Sequence, residues 1–179
     1  TKDVDTTKLL LQLKADPNTK DKDGDTPLIE ASIHGQVDTS RLLLQFKADP
    51  NTKDKDGDTP LHLASSAGKV DTVRLLLQSN ADPNDKSKDG NTPLHWASIR
   101  GRVETVRLLL QSNADPNIKN KDGDTPLHWA SGFGQMETSR LLLQSNADPN
   151  TKNKDGYTPF RVSSTLEMKQ LLESNMQIE

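Results

Sequence analysis

The sequence contains no cysteine, few aromatic residues and no long apolar run, and neither sign of charge predominates. Without cysteine, neither a disulfide framework nor a thiolate metal site can form. The longest leucine runs are triplets, far short of the roughly 20 apolar residues that cross a membrane. Acidic and basic residues are interleaved and the net charge is −3, so no basic stripe indicates a nucleic-acid partner.

Targeting signals are also lacking. No signal peptide is recognisable, and a cysteine-free chain suits a reducing compartment. We therefore expect a cytoplasmic or nuclear protein with no membrane association. The chain starts at Thr1 rather than at Met, so the sequence resembles a fragment whose targeting information lies elsewhere.

What the sequence does contain is one segment that recurs at a fixed spacing. Copies open at Asp23, Asp56, Asp89, Asp122 and Asp155, each 33 residues after the previous one. A constant period of this size indicates stacked structural repeats. The hydrophobic content of 31% is low for a globule, but each unit of a thin solenoid buries only the faces that touch its neighbours.

The sequence motif of the repeat, Asp-Gly-x-Thr-Pro-Leu-His with a period of 33, resembles that of the ankyrin repeat. The resemblance implies an all-α solenoid of antiparallel helix pairs joined by β-turn or hairpin loops. It also implies a single non-enzymatic interaction domain over 1–179. This domain comprises a partial repeat at 1–22, full repeats at 23–55, 56–88, 89–121 and 122–154, and a shortened C-terminal capping repeat at 155–179.

Local signals within one repeat support this division. Thr59-Pro60 starts the first helix, because threonine caps a helix and proline suits its first position. Gly68 ends that helix in a left-handed corner. A second helix begins near Val70 and carries the buried leucine triplet.

Two features distinguish the repeats from one another. The left-handed position after the second helix holds asparagine in three repeats, whereas Lys14 and Lys47 occupy it at a cost of about 1 kcal/mol each. Valine stands on the inner side of the second helix only at Val73 and Val106. We therefore expect the middle two repeats to be the best packed and the ends to open first.

Three histidines stand in the Thr-Pro-Leu-His motifs, each one repeat from the next. No second ligand clusters with any of them, so we predict no metal site, no cofactor and no catalytic residue. The resemblance instead implies hydrogen bonds from each histidine to the threonine of its own motif. The pairs are His62 with Thr59, His95 with Thr92, and His128 with Thr125.

The positions 7, 10 and 11 residues after each opening Asp share one side of the first helix, by helical spacing. In the ankyrin family these positions line an inner groove beside the turn tips. Unlike the framework, they vary between repeats, which suggests a surface tuned to a partner. The predicted partner-binding residues are Glu30, Ile33, His34, Leu63, Ser66, Ala67, Trp96, Ile99, Arg100, Trp129 and Phe133, with Asp58, Asn91, Asp124 and Tyr157 at the tips.

A protein or extended peptide is the predicted ligand, bound by a monomer and anchored at Trp96, Trp129 and Phe133. Two alternatives remain open. The tryptophans could stack on a nucleotide-like ligand, or the array could be a designed, consensus-like scaffold without a partner of its own. The indoles could also serve only to pack against neighbouring helices.

Overall fold

The computed structural model describes residues 2–176, which form eleven α-helices and no β-strand. The predicted all-α class is therefore confirmed. The helices are α1 (Lys2–Gln12), α2 (Pro27–His34), α3 (Val37–Gln45), α4 (Pro60–Ala67), α5 (Val70–Gln78), α6 (Pro93–Ile99), α7 (Val103–Gln111), α8 (Pro126–Gly132), α9 (Met136–Gln144), α10 (Pro159–Val162) and α11 (Leu166–Glu173).

The first helix of each pair begins and ends as its sequence predicts. In α4, the Thr59 hydroxyl accepts a hydrogen bond from the backbone N–H of His62, and Pro60 occupies the first helical position. Gly68 then adopts φ = 69°, and its N–H caps carbonyl groups of the last turn. These signals are local, so the first residues of these helices recur every 33 residues, whereas their last residues differ between repeats.

The helices form two rows. The first helices of successive repeats (α2, α4, α6, α8 and α10) stack directly on one another, and the second helices stack behind them. Packing is closer in the first row than in the second, so the stack curves with the first helices on its concave side. The core between the rows consists of equivalent, fully buried leucines, for example Leu61 and Leu94 in the first row and Leu76 and Leu109 in the second.

Tight loops project between consecutive repeats, and we call these loops the fingers. In one finger the N–H of Asp54 donates to the carbonyl of Asp58 at 3.0 Å. Neighbouring fingers are joined by a further backbone bond, from Lys88 N–H to the carbonyl of Asp56 at 2.9 Å. At Gly57, φ is 80° and a Cβ would lie 2.7 Å from the Lys88 nitrogen, so only glycine fits between the fingers.

The predicted left-handed residues after the second helices are confirmed. Lys14 and Lys47 have φ values of 67° and 70°, and Asn80, Asn113 and Asn146 have values of 64° to 65°. Lysine gains nothing from this conformation, whereas asparagine tolerates it better than other non-glycine residues.

We expect Lys47→Asn to raise the free energy of unfolding by about 0.5–1 kcal/mol, because it relieves the left-handed strain at an exposed site. The reverse exchange at the equivalent position, Asn80→Lys, should lower it by a similar amount. Urea unfolding of the two variants measures both effects. Equal stabilities for all three proteins would contradict the strain argument.

The residue type at the inner position of the second helix differs between the middle repeats and the repeats on either side. Val73 and Val106 are completely buried there. Ser40 and Ser139 occupy the same position next to them, also completely buried, and their hydroxyls have no hydrogen-bond partner among the described residues. These two positions lack the apolar contact that valine makes in the middle repeats, and their hydroxyls are buried without a partner. The order in which the ends open stays a prediction.

The two ends of the stack differ. Helix α1 has no first helix to pack against within the described chain, and Leu9, Leu10 and Leu13 are more than half exposed. At the other end α10 is a single turn, and α11 buries Met168 and Leu172 beneath a polar outer surface. A polar outer surface is what a terminal repeat needs for solubility.

Candidate partner-binding groove

The concave side presents one exposed strip from each first helix, and we call the surface formed by these strips and the fingers the groove. In α4, for example, Leu61, His62, Ala64 and Ser65 are buried, so the outward-facing residues are those 7, 10 and 11 positions after the opening Asp. The periodicity therefore located the solvent-facing side of each helix.

The predicted site residues differ in how far they reach solvent. Phe133 is the most prominent apolar side chain of the groove, at 64% exposure, and Tyr157 is 44% exposed at the last described finger. Asp58 and Asn91 are buried in their fingers. Glu30, His34 and Arg100 are exposed, whereas Ile33, Leu63, Ser66, Ala67, Trp96, Ile99, Asp124 and Trp129 are half-buried.

The two tryptophans form one aromatic cluster on adjacent first helices. Their ring centroids are 5.8 Å apart with an interplanar angle of 73°, an edge-to-face contact. The ring of His95 makes a second such contact with Trp129 at 5.4 Å. Both indoles thus pack against neighbouring helices and still reach the groove, so they combine the two roles that the sequence left open.

A hydrogen bond fixes the first indole. The Nε1–H group of Trp96 donates to Oδ1 of Asp58 at 3.2 Å, joining the second repeat's finger to the third repeat's first helix. Burial raises the pKa of the Asp58 carboxyl to about 6, against the opposing effect of the indole hydrogen bond. The nearby carboxylates of Asp54, Asp56 and Asp89 raise it further.

We expect Asp58→Asn to stabilise the protein by about 1 kcal/mol near pH 7 and to have no such effect near pH 4. The folded chain holds the Asp58 proton more tightly than the unfolded chain, because the folded pKa is about 6 against an ordinary 3.8. The neutral carboxyl therefore favours folding at low pH, and this advantage is lost as the pH rises through about 6. An amide keeps the acceptor for Trp96 without the charge.

Urea unfolding at both pH values measures this difference. Asp122→Asn, the equivalent exposed position of a finger two repeats away, is the control and should change neither value. A gain from Asp58→Asn that is equal at both pH values would contradict the charge argument.

Side-chain amides connect the later fingers. The amide of Asn120 donates to Oδ1 of Asn91 at 2.9 Å, and that of Asn153 donates to Oδ1 of Asp124 at 2.8 Å. The tip side chains are therefore held in place rather than free. Sequence reasoning missed Asn120 and Asn153, although their 29-residue separation from the tips they bind repeats along the chain.

The histidines behave as the resemblance implied. Nδ1 of His62 lies 2.8 Å from the Thr59 hydroxyl and accepts the Thr59 backbone N–H at 3.1 Å. Its Nε2 lies 3.0 Å from the carbonyl of Asn91 in the next finger, so this nitrogen carries the proton. Burial lowers the pKa of His62 and of His95 to about 4 and lowers that of His128. All three rings are structural links between repeats.

Charge is distributed unevenly along the groove. At its N-terminal end, the Glu30 carboxylate lies 3.6 Å from the ring of His34. Arg100, in the third repeat, is exposed, and its guanidinium forms no ion pair or hydrogen bond within the described part of the chain. At the last finger, the guanidinium of Arg161 lies 5.6 Å from the ring centre of Tyr157.

Two rows of stacked helices, regular fingers and a variable concave strip define a helical repeat solenoid. A family model for ankyrin repeats, comprising three copies, matches residues 1–87, 46–120, 79–153 and 112–175. The chain therefore belongs to the ankyrin-repeat family. Ankyrin repeats generally serve as protein-interaction modules and are typically non-enzymatic. A comparison with curated proteins found no significant match.

Across residues 2–176, no cluster of three or more histidine and acidic side chains is placed to hold a metal ion. In the same part of the chain, no helix has the length and apolar character needed to cross a membrane.

Proposed function

We propose that the groove binds a protein through an extended segment, with Trp129, Phe133 and Ile99 as the apolar contacts. The observation that carries this proposal is the exposure of Phe133 on the concave side, where nothing in the described chain packs over it. A large apolar side chain exposed beside other apolar residues is typical of a partner site.

A preformed scaffold supports the same proposal. The backbone beneath the groove is held by finger-to-finger hydrogen bonds and by the three histidine links, so binding requires little ordering of the protein. Asp58 and Asn91 are buried, and we propose that they shape the fingers, whereas Arg100, Glu30, His34 and Tyr157 contact the partner.

The nucleotide-like alternative receives less support from the aromatic geometry. A base binds by lying parallel to an accessible ring face. The rings of Trp96 and Trp129 are too close and too nearly perpendicular for a base to be sandwiched between them. A ligand rich in phosphate would also lose affinity steeply with salt, whereas a peptide in this groove should lose little.

The test is partner capture with Phe133→Ala and Trp129→Ala proteins, followed by crosslinking to map the contact. Leu166→Ala is the matched control, since Leu166 is 70% exposed and lies on α11, outside the groove. We expect partners to be lost with either groove variant and retained with the control. Circular dichroism establishes that all variants are folded. Partners that are equally retained by all variants, or that crosslink to the second helices, would overturn the proposal.

A further inference from the structure

We infer that the third and fourth repeats of the groove take an extended peptide carrying a carboxylate side chain next to a bulky apolar residue. This inference rests on the proposed function and specifies the chemistry of its partner. The features that carry it are a cation without a partner, neighbouring carboxylates that are already engaged, and an exposed aromatic ring one repeat away.

The cation is Arg100. It caps helix α6 at the C-terminal end, is exposed, and its guanidinium has no hydrogen bond or ion pair within the described chain. The finger of its own repeat carries the neutral Asn91, where the first, second and fourth repeats carry aspartate. Arg100 is therefore the one arginine or lysine among the predicted groove residues, and the tip of its own finger carries no charge.

The carboxylates on either side are already engaged. Asp58 accepts the indole N–H of Trp96 and is buried. Asp124 accepts the amide of Asn153 at 2.8 Å. Both carboxylates thus accept a hydrogen bond from within the protein, whereas the Arg100 guanidinium is the cationic group that this part of the groove offers to a ligand. A planar guanidinium is well suited to a carboxylate.

The apolar neighbour is Phe133, which occupies the same position one repeat later and is the C-cap of helix α8. Packed helices lie about 8–10 Å apart, which is the length of about three residues of extended chain. A peptide that runs along the groove would thus place an acidic side chain at Arg100 and a bulky apolar one at Phe133, about three residues apart. Ile99 and Trp129 are half-buried apolar residues of the same two helices.

Nucleic acid and polyphosphate fit this surface less well. They require several cations to neutralise successive phosphates. Arg102, the next cation along the chain, donates through Nε to the carbonyl of Ser66 at 3.2 Å, and the fingers carry many aspartates. One guanidinium beside an aromatic ring matches a single carboxylate in an apolar context.

The test is selection from a random peptide library on the wild-type chain, followed by affinity measurement on variants. We expect the selected peptides to carry Asp or Glu about three residues from Leu, Ile, Phe or Trp. Arg100→Glu should weaken their binding about tenfold or more, and selection on this variant should enrich Lys or Arg instead. Arg140→Glu makes the same charge change on the second helix α9 and should leave binding unchanged.

Two kinds of failure are distinguishable. Peptides that lose binding with Phe133→Ala, yet show no acidic preference and bind Arg100→Glu normally, would overturn this inference while leaving the proposed function intact. Peptides that bind Phe133→Ala and Trp129→Ala as well as they bind wild type would overturn both. Failure to select any peptide would also count against both.

Discussion

We expect the free energy of unfolding to fall steeply as the pH is lowered from 6.5 to about 4. Burial holds the pKa of His62 and of His95 at about 4, against an ordinary 6.5. In this window the histidines bind protons in the unfolded chain but stay neutral in the folded chain, so acid favours unfolding. A difference of 6.5 − 4 = 2.5 units amounts to about 3 kcal/mol for each histidine, and a typical domain has only about 5–15 kcal/mol in total.

Other groups modify this slope without reversing it. His128 acts in the same direction, because burial lowers its pKa as well. Asp58 acts in the opposite direction between about pH 6 and 3.8, because its raised pKa lets the folded chain take up a proton earlier. One carboxyl offsets only part of the combined effect of the buried His62 and His95 rings.

His62→Ile provides the variant, because Ile29 fills the equivalent slot in the first full repeat and is fully buried there. The substitution removes the acceptor for the Thr59 N–H and the donor to the Asn91 carbonyl. We expect a loss of about 2–4 kcal/mol near pH 7, together with a shallower dependence on pH below 6.5.

Urea unfolding across this pH range measures both quantities. The exposed His34, which forms none of these links between repeats, supplies the control, and His34→Gln should leave the stability near pH 7 unchanged. A wild-type stability that is the same at about pH 7 and pH 4.5 would contradict the argument, since the unfolded histidines must titrate between these values.

Local chemistry explains why so much of the fold was predictable. The threonine caps, the first-turn prolines and the glycine corners each act within four residues of their own position. The 33-residue period then extends each local prediction along the whole stack. The left-handed Lys14 and Lys47 were predictable for the same reason, because a repeat aligns them with the three asparagines that adopt this conformation more readily.

The groove was predictable as a surface but not in its internal bonding. Helical spacing identified the outward-facing side of each first helix, including Phe133 and Arg100. The bond from Trp96 to Asp58 spans 38 residues and depends on how a finger lies over the next repeat's helix. No pattern within one repeat encodes that bond, because it depends on three positions in neighbouring repeats. The finger tip must be aspartate (Asp58), and the next first helix must carry tryptophan (Trp96). In addition, Ser87 stands where the later repeats have the asparagines that bind the tip.

Asp58 and Asp124 also show that hydrogen-bond partners in other repeats cannot be read from the repeat motif. Both occupy the finger tip in their repeats, but Asp124 receives the amide of Asn153, whereas Asp58 receives the indole of Trp96. The burial that raises the Asp58 pKa therefore arises from neighbours in another repeat. Sequence reasoning assigned both to partner contact because it could not see which hydrogen bonds were already satisfied.

The other large expected effect on stability concerns the buried leucines of the second helices. Leu109 is completely buried in the third repeat, and its equivalent in α1, Leu10, is 52% exposed. We expect Leu109→Ala to cost about 3–5 kcal/mol, from lost transfer free energy and the cavity left behind. Leu10→Ala, the same substitution in the same register, should cost less than about 1 kcal/mol because its side chain already meets water.

A repeat array adds a further consequence to the loss at Leu109. Each repeat is stabilised mainly by its two neighbours, so weakening a middle repeat uncouples the two halves of the stack. Urea unfolding of Leu109→Ala should therefore become broader or biphasic, and backbone amides of the third repeat should exchange faster with solvent. A single sharp transition with only a shifted midpoint would show that the stack unfolds as one cooperative unit, contrary to this nearest-neighbour description.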